Sequence, residues 1–149
     1  MNLKILNDRD PLLRKVCNKV ENIKEHIPFA TSMYFTMKSN KAIGLAANQV
    51  GKSIRIISLS LPDFEGVMFN PIILERVEEV FEFREGCLSI KGVGINTKSR
   101  SKSIKVQWQD KSGSYNEREF QDLSAVAIQH EIDHLNGILF TDYKDGTKT

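Results

Sequence analysis

A helix obliged to present two imidazoles on one side sets the tightest limit on this chain. Residues 130–134 read His-Glu-Ile-Asp-His. With ~3.6 residues per turn, positions i and i+4 lie about 40° apart around a helix axis. His130 and His134 therefore project from one face, one turn apart, a spacing that suits two ligands of a single divalent ion. Glu131, rotated about 100° from His130, flanks that ion and can act as a base on water that the ion acidifies. The chain has 3 histidines and two of them are here; His26 has no such context and is read as a surface residue. Leu123, Val126 and Ala127 on the preceding turns place the imidazoles beside an apolar stripe. The helix is expected from about Leu123 to Asn136, capped by Asp122 or Ser124 and stopped by Gly137 at the C′ position.

Three protein ligands with one open position mark a catalytic ion site, whereas four close it. The third donor is a nearby carboxylate or a cysteine. Cys87 is a candidate, in Glu85-Gly86-Cys87-Leu88-Ser89, where Gly86 permits an unusual backbone angle or a close approach. The competing reading is an inert buried thiol. Cys17 and Cys87 do not form a disulfide framework, so a reducing cytoplasm is expected.

Elsewhere the pattern is helix, then strands, then helix. Pro11 opens a short helix. A longer one runs from about Asn22 to Met37, with Ile27, Ala30, Tyr34 and Met37 on one face. Strands are expected at Ile54 to Leu59, Val67 to Phe69 and Val77 to Phe83. Ile104, Val106 and Trp108 alternate with polar neighbours, and the turn Asp110-Lys111-Ser112-Gly113 returns the chain through Tyr115 to Phe120. This is an α+β fold. No repeats or linkers divide it, so residues 1–149 are read as one domain.

Several function classes fall away on composition. A net charge of +2 without a long run of like charge gives no nucleic-acid footprint. Lys98, Arg100, Lys102 and Lys105 are read as a solvated strand face. No stretch approaches the ~20 apolar residues of a membrane helix, and the N-terminus lacks a signal-peptide apolar core.

Three segments together resemble the signature motifs of the peptide deformylases: Gly44-Leu45-Ala46-Ala47-Asn48-Gln49-Val50-Gly51, Glu85-Gly86-Cys87-Leu88-Ser89, and Gln129-His130-Glu131-Ile132-Asp133-His134-Leu135-Asn136-Gly137. They stand in the family's order. Weaker likeness covers Asp10-Pro11-Leu12-Leu13-Arg14, Asn70-Pro71 and Gly137-Ile138-Leu139-Phe140. The resemblance implies antiparallel strands packed around a central helix that carries the two histidines, and removal of the formyl group from the N-terminal formyl-methionine of nascent peptides. It implies Cys87, His130 and His134 as metal ligands and Glu131 as the catalytic acid/base. Gln49 and the backbone N–H of Leu88 would donate to the oxyanion. Ile43, Gly44, Leu45, Glu85 and Gly86 would bind substrate. The ion would be iron(II) in the cell, with zinc, nickel or cobalt as substitutes, and the enzyme a cytoplasmic monomer.

Three departures from the family pattern stand out: Ala42 where a glycine is usual, Ile90-Lys91-Gly92 where a proline is often found, and only twelve residues after Gly137, of which Asp142 to Thr149 is polar. The last speaks against direct docking on the ribosome. Two rival readings share the helix motif. A zinc endopeptidase would seek its third ligand downstream, where Asp142 and Asp145 are the carboxylates. An inactive, metal-stabilised binding domain would need neither Glu131 nor Gln49.

Overall fold

Strand β2 (Ile56–Ser60) points its side chains into two different cores, and this sets the layering. Ile57 and Leu59 join the apolar cluster on one face of the sheet, and Ile56 joins the cluster on the other. A strand buried on both faces requires cover on both sides. Helix α1 (Ile23–Ser39) supplies one cover and helix α2 (Asp122–Leu135) the other. The computed structural model describes residues 2–144 and 147–148.

The main sheet is antiparallel with order β1-β2-β3-β6-β7, where β1 is Gly44–Ala46, β3 Glu65–Arg76, β6 Ser103–Gln109 and β7 Tyr115–Gln121. The expected hairpin through Asp110–Gly113 is thus present as β6–β7. Ile104, Val106 and Trp108 face the core and their neighbours do not. β4 (Phe83–Cys87) and β5 (Ile90–Thr97) form a separate antiparallel hairpin. β8 (Tyr143–Lys144) pairs with β9 (Thr147–Lys148). Within α2, 11 of 14 residues are buried, which makes it the central helix around which the strands wrap. The expected α+β architecture is the observed one.

Several local expectations give way to tertiary contacts. Val77 to Phe83 does not form a strand: β3 ends at Arg76, β4 starts at Phe83, and only a bridge from Val80 to Ser101 lies between. Residues 100–103 lie alongside and take the Val77 and Phe81 N–H groups, but the bonds are too irregular for a ladder, and Val77 and Val80 stay exposed. Neither Asp122 nor Ser124 caps α2. Asp122 sits at φ 53 with its N–H donating to the Lys102 carbonyl, and the Ser124 hydroxyl is taken by Asp63. On α1 the buried face is Ile23, Ala30, Met33, Thr36 and Met37, while Ile27 and Tyr34 lie half-buried at its border. His26 is half-buried rather than on the surface, and its Nδ1 has no partner among the described residues. Arg100 leaves the supposed solvated face and is 2% exposed.

Gly137 ends α2 as expected. Its φ of 75° is left-handed, its N–H donates to the His134 carbonyl, and a β-carbon there would meet the Arg14 carbonyl oxygen at 2.6 Å.

Candidate active site: a Cys-His-His centre at an open strand edge

Two turns of α2 bring His130 and His134 together, with their Nε2 atoms 3.2 Å apart. The third donor is the thiol: Cys87 Sγ lies 3.4 Å from His134 Nε2, and the ligand atoms of all three residues fall within 4.8 Å of one another. Cys87 ends β4, and Leu88 and Ser89 form the two-residue turn into β5. A tight hairpin turn thereby pushes the thiol out toward the helix. Asp142 is not the third donor, because its carboxylate is paired with Arg14 at 2.7 Å. Asp145 lies outside the described residues.

The donor set fits one divalent ion. Tetrahedral bonding at about 2.3 Å to sulfur and 2.0–2.1 Å to nitrogen spaces the donors by roughly 3.4–3.6 Å, close to the separations seen. Without a cation the nitrogens face only each other and the thiol. Burial and the nearby His130 push the His134 imidazole well below its ordinary value. Burial opposes charge on His130 as well, but hydrogen bonds to Cys87 and Glu85 raise it. Two buried rings in contact cannot both be cationic, and two neutral rings can turn their Nε2 lone pairs to one shared cation.

Behind the donors lies a charged network. His130 Nδ1 is 2.8 Å from Glu85 Oε1, an arrangement that orients the ring and leaves Nε2 free for an ion. Glu85 in turn receives two parallel bonds from Arg100, Nε to Oε2 and Nη2 to Oε1, both 2.8 Å. Arg100 also pairs with Asp133, whose Oδ2 accepts from the Tyr143 hydroxyl at 2.7 Å. Burial resists charge on Glu85, but His130 and Arg100 overcome it and hold the carboxyl down at about 2. Glu85, expected among the substrate residues, has its carboxylate committed to this network although it borders the cleft.

In front of the donors is a cleft of about 350 Å³. Ile43, Gly44, Gln49, Gly86, Leu88 and Glu131 line it, together with Phe83 and the Leu123, Val126 and Ala127 stripe. Ala42 borders it too. Leu45 does not: it is fully buried in the cluster under α1. Gly86 adopts no left-handed angle, and a β-carbon on it would meet nothing within 4 Å. Gln49 is preset. Its Oε1 accepts from the Ala46 N–H at 2.9 Å, which turns Nε2 toward Cys87 at 3.3 Å and the Ser89 hydroxyl at 3.1 Å. Asn48 donates to the His134 carbonyl at 2.6 Å, bracing the end of α2.

Glu131 is 5% exposed and its Oε1 has no partner among the described residues. Burial is the main reason its carboxyl is pushed up to about 7, with His130 opposing and Glu85 adding to the rise. A buried, unpartnered carboxyl that exchanges its proton near neutrality is what acid/base work on water requires.

The residues that sequence reasoning missed are Arg100, Asp133, Tyr143 and Asn48. Asp133 and Asn48 sit inside two of the motifs, and that placement was the one available signal. Nothing local marked Arg100 or Tyr143.

A cysteine-and-imidazole cluster able to hold one ion, beside a buried glutamate on the central helix of an α+β fold, is the arrangement of a mononuclear metallohydrolase. Comparison with known proteins narrows the class. The family model for polypeptide deformylase matches residues 2–149. The peptide deformylase of Afipia carboxidovorans is 40% identical over 145 residues, covering 93% of this chain and 84% of the relative. The crystal structure of peptide deformylase from Thermotoga maritima superposes with a TM-score of 0.91 at 36% identity, over 95% of this chain and 97% of that one. A probable peptide deformylase from Synechococcus phage S-SSM7 gives 0.88 at 40% identity, over 96% and 100%. The chain belongs to the peptide deformylase family and is an enzyme of that kind.

Proposed function

We propose that this cleft hydrolyses the formyl group from the N-terminal formyl-methionine of peptides, releasing formate, with residues 1–149 acting as one catalytic domain. The observation that carries the reading is the meeting of Cys87, His130 and His134 beside Glu131, whose Oε1 has no partner among the described residues, and a preset Gln49 amide.

Cys87, His130 and His134 would hold one divalent ion, iron(II) in the cell, with zinc, nickel or cobalt as substitutes. Bound there, the ion supplies Lewis-acid activation of water and of the formyl carbonyl. Glu131 takes the proton of the attacking water as its oxygen bonds to the formyl carbon. The Gln49 side-chain amide and the Leu88 N–H donate to the carbonyl oxygen as negative charge gathers on it. Glu131 then delivers the proton to the amine nitrogen as the C–N bond breaks, so one carboxylate serves both steps. The peptide lies extended against the free edge of β1 at Ile43 and Gly44, adding as a strand. The first side chain enters the apolar end of the cleft, between Phe83 and the Leu123, Val126 and Ala127 stripe. The enzyme works as a cytoplasmic monomer without nucleic-acid or membrane partners. No helix among the described residues is long and apolar enough to cross a membrane.

Formate release from formyl-Met peptides, with metal content measured on the same anaerobic sample, tests the reading. Glu131→Gln is expected to keep its metal and lose activity by a factor on the order of 10²–10⁴. Full metal with near-normal turnover would overturn the role given to Glu131.

A further inference from the structure

A second cavity, of about 610 Å³, adjoins the first. Its walls are the N-terminal segment around Leu6 to Arg9 and the start of β5 at Ile90 and Lys91. Asn40 and Leu88 line both cavities, so they form a doorway. The far wall is tied down rather than loose: the Leu6 N–H donates to the Gln49 carbonyl at 2.7 Å, and the Asp8 N–H to the Ser89 carbonyl at 2.9 Å.

The edge of β1 gives the direction in which a bound peptide must leave. The Ser60 N–H takes the Ile43 carbonyl on the β2 side. By strand alternation the N–H and C=O of Gly44 then face the cleft. Further along, the Ala46 N–H is occupied by Gln49 Oε1, which closes the edge in that direction. A chain whose first residue sits at Gly44 and Glu131 can continue only past Ile43 and Ala42 toward Lys41, where a φ of 56° turns the backbone to Asn40. Paired one to one with that edge, its second and third residues lie beside Ile43 and Ala42, and the fourth to sixth pass the doorway at Lys41 and Asn40 into the second cavity.

The charges there are uneven. Arg9 and Lys91 line the cavity, and Lys41 lines the first cavity beside the doorway. None of these three cations lies in ion-pair range of a carboxylate among the described residues. The one carboxylate on the lining, Asp8, also acts on Arg14.

We propose that the second cavity is a subsite for the fourth to sixth residues of the substrate and that Arg9, Lys91 and Lys41 make it favour acidic side chains there. This rests on the deformylase reading of the first cavity and extends it to the class of peptide preferred. The cations are exposed, so each pair contributes modestly and is screened by salt. A preference on the order of 5-fold is expected from two such pairs.

The test compares formyl-Met hexapeptides carrying aspartate, alanine or lysine at positions four to six, with formyl-Met-Ala-Ser as a reference too short to reach the cavity. For the metal-loaded enzyme, kcat/KM is expected in the order aspartate, alanine, lysine, with the difference in KM and kcat unchanged. Salt at 0.5 M, on the order of a 4–5 Å Debye length, should collapse the order. So should the Arg9→Gln, Lys91→Gln double variant, whose rate on the tripeptide should be unaltered. Equal kcat/KM for the three hexapeptides would overturn the subsite. Failure on every peptide, the tripeptide included, would instead remove the deformylase reading. Titration of fluorescent Met-hexapeptides of the same three compositions then still decides the subsite, since equal Kd values refute it.

Discussion

Gly44 and Glu131 stand so close that a β-carbon on the glycine would lie 2.5 Å from Oε2 of the carboxylate. The glycine thus does two things with one missing methyl: it leaves Glu131 its position and lets a peptide backbone approach the strand edge. Gly44→Ala is expected to displace Glu131 and reduce kcat/KM by a factor on the order of 10², the scale of a misplacement near 1 Å. Metal content should stay at one equivalent. Unchanged kinetics in a metal-replete variant would show that the carboxylate has another resting place.

Arg100 is the hub of the buried charges, bound in parallel to Glu85 and also to Asp133. Arg100→Met leaves two carboxylates without their cation, and the expected cost is about 3–5 kcal/mol. Lysine cannot restore the forked geometry and should recover only part of it. Urea unfolding of the two variants in chelator, compared with the parent, reads the difference. A methionine variant within about 0.5 kcal/mol of the parent, the range of an ordinary surface change, would mean that water reaches this cluster.

Gly137→Ala meets both a left-handed backbone and the Arg14 carbonyl. The expected loss is about 1–3 kcal/mol. Because the strain lies after the helix rather than in the cleft, the folded variant should keep its KM. A change in KM with no change in the unfolding midpoint would contradict that separation.

The two thiols should behave oppositely toward alkylation. Cys17 is 4% exposed, and burial pushes its thiol above the ordinary value, against smaller opposing effects from Ser53 and Arg55. It should resist iodoacetamide until the protein unfolds. Cys87 borders the cleft and should be protected by the ion and labelled after chelation. Mass spectrometry should count zero modified cysteines in the loaded enzyme, one after chelation and two in denaturant. Labelling of Cys87 at full metal occupancy would exclude it as a ligand.

What could be read from the sequence was what repeats locally. The His-Glu-x-x-His spacing placed both rings correctly because helix geometry alone decides it. Alternation placed Ile104, Val106 and Trp108 for the same reason. Alternation also misled at Val77 to Phe83, since a pattern of period two states which face is apolar but not whether the neighbouring segment pairs in a regular ladder. Arg100 stood in a row of basic residues and looked solvated. Its partners Glu85 and Asp133 are 15 and 33 residues away in the chain, so no window of sequence could reveal them. The cap of α2 failed likewise, because Asp63 claims the Ser124 hydroxyl from 61 residues away.

The thiol comes from a hairpin and the imidazoles from a helix. The Glu85–Arg100–Asp133 bridge already joins strand β4 to α2 behind the donors. A substitution that severs this bridge is therefore expected to loosen the thiol relative to the imidazoles as well as the fold behind them.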